Sequence, residues 1–218
     1  MERFFIIDKF NSFFDWGAII KSKSIDEAEL KTNLVDLDGH SGSLDLTEAL
    51  TGEVQYKDRK LSATFWTSDG NRAERERLLK DIRRELHGRK VKIIEPDDPA
   101  HYFYGRVTMK PPTNNLAYAE FTLEATCEPW RYAIEETARE IISSDKTVVK
   151  AVINNGGVKT LSPIIDIEGI ITLTYCGRTS TLKTGSYKIS DFKIYKGINI
   201  VEVYGNGSVT FTYREADL

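Results

Sequence analysis

Polar and apolar residues alternate with a period of two along much of this chain. In residues 119–127, Phe121, Leu123, Ala125 and Cys127 fall on one side, and Glu120, Thr122, Glu124 and Thr126 on the other. That spacing predicts a strand with one face on a core and the other toward water or a neighbouring subunit. Residues 61–65 and 209–213 repeat the pattern. Gly205-Asn206-Gly207 stands between two such runs and predicts a hairpin turn, because Gly and Asn tolerate positive φ.

One stretch follows a helical period instead. Leu78, Leu79, Ile82 and Leu86 fall on one stripe, with Arg72, Glu76, Lys80, Arg83 and Arg84 mostly off it. Capping residues precede it at positions 67–71, and Gly88 suits the left-handed position just beyond a helix end. These signals predict a helix over 71–87 with Leu78, Ile82 and Leu86 buried and Arg83 and Arg84 exposed. His87 would complement the dipole as a cation at the helix end.

Segment 21–52 has neither period. It is rich in charge, Gly, Ser and Thr, and it is too long for a simple loop. Its apolar residues Leu34, Val35 and Leu37 are candidate inter-subunit contacts. Docking on a neighbour would bury them, and folding back on their own domain is the alternative. After Trp130 the composition changes: every Trp and His lies before that point, and Gly-punctuated short runs follow it. This predicts two domains, residues 1–134 and 135–218, the second all β. Within the junction, residues 135–142 read as helix or strand, and Thr147-Val148-Val149 favours strand.

Composition narrows the function classes. Of 218 residues, 40% are hydrophobic and 29% charged, a globular balance, and the net charge of -3 offers no overall field for nucleic acid. The same near-neutrality lets identical subunits approach closely. No run nears the ~18 apolar residues of a spanning helix. The apolar run at residues 4–7 is ended by Asp8 and Lys9, so the expectation is a protein made in a cytoplasm, without a secretory leader or membrane insertion. Cys127 and Cys176 are too few and too far apart for a disulfide framework, and both read as small packed apolar residues.

Candidate chemistry is sparse. His40 sits near Asp36 and Asp38, and His101 near Asp97 and Asp98, but turn hydrogen bonding explains Asp in such loops without a metal. Gly39-His40-Ser41-Gly42-Ser43 lacks the spacing of a nucleophile elbow. No phosphate loop or dinucleotide fingerprint is present. The expectation is a non-enzymatic protein with no cofactor, metal or catalytic residue. Sugar binding by the second domain is the runner-up, although Tyr175, Tyr187, Tyr195, Tyr204 and Tyr213 sit mostly inside strand patterns. A hydrolase is a third.

The segment from Leu37-Asp38-Gly39 through Leu44-Asp45-Leu46-Thr47-Glu48-Ala49-Leu50 to Gly52, with Tyr56, Arg59 and residues 61–66, resembles a pattern of siphophage distal tail (Dit) proteins. Tyr104-Gly105-Arg106-Val107 and residues 125–132 are similar to the strands that close that family's N-terminal domain. Asn154-Asn155-Gly156, residues 162–167, 182–187 and 196–201 resemble marks of its galectin-like C-terminal domain. The resemblance spans nearly the whole chain. It implies a mainly β fold: a β-sandwich N-terminal domain with one principal helix and an extended arm, then a galectin-like β-sandwich. It also implies a structural subunit of a phage or phage-like tail tip. The expected assembly is a homo-hexameric hub ring joining the tail tube protein to a tail-associated tip protein and receptor-binding proteins, in a virion or prophage-encoded particle.

Overall fold

The computed structural model describes residues 4–39, 41–49, 51–145 and 147–218. The chain is mainly β, with one helix among the described residues, and divides into two compact units. Met1–Arg131 with Leu218 forms one, and Tyr132–Asp217 the other.

The first unit contains β1 (Ile6–Ile7), β2 (Phe10–Asn11), β3 (Ile19–Ile25), β4 (Leu34–Asp36), β5 (Ser43–Asp45), β6 (Arg59–Thr67), α1 (Arg72–Leu86), β7 (Lys90–Ile94), β8 (His101–Met109), β9 (Thr113–Asn114) and β10 (Ala119–Ala133). Its sheet runs β2-β1-β7-β8-β10-β6-β3, with β9 against β10. The alternation of β10 works as its period demands: Phe121, Leu123, Ala125 and Cys127 are buried. β6 lies antiparallel to β10 over nine residue pairs, from Ala119↔Thr67 to Cys127↔Arg59. That register stacks Phe65 on Phe121 at 5.3 Å, and Trp16 meets both rings edge-on. On the outer face the same ladder pairs the Thr64 and Thr122 hydroxyls at 3.0 Å.

Helix α1 starts where the capping residues point. The Asn71 side chain accepts the N–H groups of Ala73 and Glu74, and the Glu74 carboxylate accepts the Asn71 N–H. Leu79, Ile82 and Leu86 are buried, whereas Leu78 and Arg83 are half-buried, so the stripe is narrower than expected and Arg83 less free. Arg83 instead donates to the Lys110 carbonyl. Helical periodicity also missed Arg75, which is buried. Its guanidinium donates to the carbonyls of Gly70, Asn115 and Leu116, taking up backbone acceptors around the helix start. His87, just past the helix end, takes a hydrogen bond: its Nδ1 accepts the Met109 N–H at 3.1 Å.

The second unit contains β11 (Thr137–Ser143), β12 (Val149–Asn155), β13 (Ile164–Tyr175), β14 (Arg178–Tyr187), β15 (Gly197–Tyr213) and β16 (Ala216–Asp217). The ambiguous junction is therefore strand. The expected hairpin at Gly205-Asn206-Gly207 is absent, because β15 passes through these residues without turning. Its first half pairs with β12 and its second half with β11, while β13 runs along its other side. The glycines serve close backbone approach rather than a turn: a Cβ on Gly207 would lie 1.8 Å from the Glu168 carbonyl oxygen, and one on Gly205 2.2 Å from that of Ile170. Buried Asn199 accepts the Tyr175 hydroxyl and the Tyr195 N–H and donates to the carbonyls of Tyr195 and Gly197. Asn155 in the same way bridges Gly157 and Lys159. These motif asparagines hold loops in place.

Two substitutions test this packing in a denaturant titration. Ile82→Ala should lower stability by about 2–5 kcal/mol. Gly207→Ala should destabilise well beyond the ~0.5 kcal/mol of an ordinary surface change, because both the positive φ and the Glu168 carbonyl oppose a side chain.

Candidate subunit interface

Residues 26–58 connect β3 to β6 and form a two-legged ribbon, not an irregular excursion. The first residues of the predicted excursion, 21–25, belong to β3 and pair with β6. Beyond them the legs are laced by the Lys57 N–H to the Glu29 carbonyl, a Leu30↔Tyr56 bridge and the Lys31 N–H to the Gln55 carbonyl. Farther out, β4 pairs with β5 through Leu34↔Asp45, Val35↔Leu44 and Asp36↔Ser43. Short polar side chains finish the ribbon. Ser43 Oγ donates to Asp36 at 2.6 Å, and the Thr47 hydroxyl and N–H hold the Asp45 carboxyl below its usual range.

The register puts Val35 and Leu44 on one face of the ribbon and Leu34 on the other. Leu34 is 59% exposed, Leu37 48%, Leu44 44% and Val35 37%. Among the described residues neither face is buried by the rest of the chain. Leu44 and the exposed Leu30 extend the set of Leu34, Val35 and Leu37, and sequence reading missed both because the pairing across the ribbon was not legible.

At the root the ribbon is anchored firmly. Tyr56 meets Trp130 edge-on at 5.4 Å. Arg59 is buried, donates to the Pro129 carbonyl and lies over the Phe103 ring, while its Nε has no hydrogen-bond partner among the described residues. Desolvation, reinforced by nearby Arg131, pushes the Arg59 guanidinium below its usual range, and Glu27 at the start of the ribbon pulls the other way.

The remaining candidates are accounted for locally. His101 Nδ1 lies 2.8 Å from Asp98, whose carboxylate also takes Arg131 at 3.3 Å. His40 lies outside the described residues. Among the described residues no group of three or more His, Cys, Asp or Glu side chains is arranged to hold a metal ion. In the second unit a cleft of about 750 Å³ is lined by Tyr175, Cys176, Arg178, Asp191, Phe192 and Tyr195, with Arg178 and Asp191 ion-paired across it. Of the tyrosines, Tyr213 is buried, Tyr175 and Tyr187 pack partly on the core, and Tyr195 and Tyr204 are exposed.

No family model matches this chain, and no curated relative does. Among solved structures it is similar to the Dit (gp 19.1) protein of SPP1, over 100% of both chains, with a TM-score of 0.73 and 14% identity. The chain has the Dit fold. The SPP1 protein is described as a paradigm of the hub adsorption apparatus in phages that infect Gram-positive hosts. Within this Dit-like frame the ribbon joins two neighbouring strands of the first unit's sheet, so its root is tied to the sheet while its outer part projects beyond it.

The two cysteines differ sharply. Cys127 is buried and its thiol is pushed up to about 12, chiefly by desolvation. Cys176 is not packed, contrary to expectation: with Gly177 it makes the positive-φ turn between β13 and β14 and is exposed. A thiol alkylating reagent at neutral pH should modify Cys176 in the native protein and reach Cys127 only after unfolding, as read by peptide mass mapping.

Proposed function

We propose that this chain is a non-enzymatic structural subunit of a phage or phage-like tail tip, one copy of a hexameric hub ring. The ring would join the tail tube protein on one side to a tail-associated tip protein, and through it to receptor-binding proteins, on the other. The observation that carries this reading is the end-to-end likeness to the SPP1 Dit protein, which takes in both units at once. The ribbon supports the ring. It is ordered by its own hydrogen bonds, yet it offers Leu34, Val35, Leu37 and Leu44 to solvent on two faces. Exposed apolar groups on a projecting element mark a surface that a partner covers. In a ring, each interface joins two different patches and the set closes on itself. The second unit corresponds in this reading to the galectin-like domain outside the ring, and the protein's place is the virion tail tip.

Reconstruction of the particle that carries this chain tests the reading. Six copies around the tail axis, with each ribbon on its neighbour, are expected. Isolated copies without mutual contact would overturn it. Changing Leu34, Val35 and Leu37 together to Ser should shift the free monomer's stability by no more than ~0.5 kcal/mol per exposed site. The same change should strongly reduce incorporation into tails, measured by the protein content of purified particles.

A further inference from the structure

The ribbon and the helix carry opposite charge. Residues 26–58 hold nine carboxylates against two lysines, although the whole chain has a net charge of only -3. One pair, Glu29 with Lys57, is internal to the ribbon. Asp38, Glu48 and Glu53 make no ion pair among the described residues; Asp38 and Glu48 are exposed and Glu53 is half-buried. From Leu34 to Glu53 there is no Lys or Arg at all.

Residues 72–90 show the reverse, with eight Arg and Lys against four carboxylates. All four of those carboxylates are engaged within the unit. Glu74 caps the helix, Glu76 meets Lys80 and Asn114, Asp81 meets Arg84, and Glu85 meets Arg84 and Arg89. Arg72 and Arg77 make no ion pair among the described residues. Arg83 and Arg106 donate only to backbone carbonyls, those of Lys110 and Gly88. Arg77, Lys80 and Arg84 stand three and four residues apart and so share the helix face turned away from buried Leu79, Ile82 and Leu86. Glu76 and Asp81 flank these cations and pair with Lys80 and Arg84, and Lys90 pairs with Glu128, so the face keeps a small positive excess, carried chiefly by Arg77.

The two surfaces leave β6 at opposite ends. The ribbon arrives at Arg59, and the chain departs from Thr67 toward α1, the two ends of a nine-residue strand, roughly 26 Å apart along it. No ribbon carboxylate pairs with an α1 cation of the same chain among the described residues. The geometry points to the exposed face of α1 as the docking site for the acidic ribbon of a second copy of this chain. This rests on the ring reading above and names the surface that the ribbon meets. Two unlike patches on one subunit, each complementary to the other, make a head-to-tail contact, the kind that closes a ring or runs on as a filament. Opposite charge supplies attraction and register, and the apolar ribbon residues supply the buried area.

Charge reversal in the full chain tests it. One variant carries Asp38→Lys, Glu48→Lys and Glu53→Lys, and the other Arg77→Glu, Lys80→Glu and Arg84→Glu. Sedimentation equilibrium of the wild type should show self-association that weakens at least tenfold as salt rises from about 0.05 M to about 0.5 M. Each variant alone should lose association: the first leaves two carboxylates against three lysines over residues 34–53, and the second makes the helix face acidic, so the outer ribbon and the helix face then carry the same sign. An equimolar mixture should recover it, since every ribbon meets an opposite helix face in an alternating assembly, which an even-membered ring permits. Circular dichroism matching the wild type excludes unfolding as the cause of loss. Variants that associate as well as the wild type, or a mixture that fails to recover, would overturn this docking site and leave the ring reading standing. A wild type that stays monomeric would also overturn it. The ring reading would then rest on the particle reconstruction, and isolated copies there would sink both.

Discussion

The antiparallel ladder between β6 and β10 holds the first unit together. Nine residue pairs in unbroken register bring Phe65 onto Phe121, with Trp16 against both, and they bury Leu61, Ala63, Leu123 and Ala125 from the same face. A slip of one residue would turn that whole apolar set toward water. The ladder also sets where the functional parts begin. Arg59 at one end carries the root of the ribbon, and Thr67 at the other leads to the capped start of α1. Ribbon and helix are therefore set apart by the length of the strand between them.

Local pattern made part of this architecture readable. The alternation in residues 119–127 became a strand with the expected face buried, and the capping residues at positions 67–71 with the apolar stripe after them marked the helix start within a residue. Misreadings occurred where a distant backbone decides the outcome. Gly205-Asn206-Gly207 has the residues of a hairpin turn, but those glycines are needed because the neighbouring strand β13 lies too close for a Cβ. Arg75 lies on a charged helix and is buried where residues 115 and 116 bring carbonyls to it. Neither loop nor neighbouring strand leaves a mark in the local sequence.

The candidate interface was legible in outline only. Leu34, Val35 and Leu37 stood out as apolar residues in a polar segment. Leu44 did not, since its importance comes from facing Val35 across the ribbon. The charge contrast between ribbon and helix was equally hidden in a near-neutral total. It emerges only once the capping box and the ion pairs on α1 have taken up that helix's carboxylates.

The ribbon buries almost nothing of itself, and a two-stranded hairpin without a core is marginally stable in water. Its outer legs therefore open far more readily than the ladder at its root. Opened backbone at an exposed, Gly- and Ser-rich tip is what proteases cut. In the proposed ring, a copy left outside would thus carry its own degradation signal, whereas a copy whose ribbon is covered would not. The projecting segment would then limit the lifetime of unassembled chains, keeping the free pool small while finished particles persist.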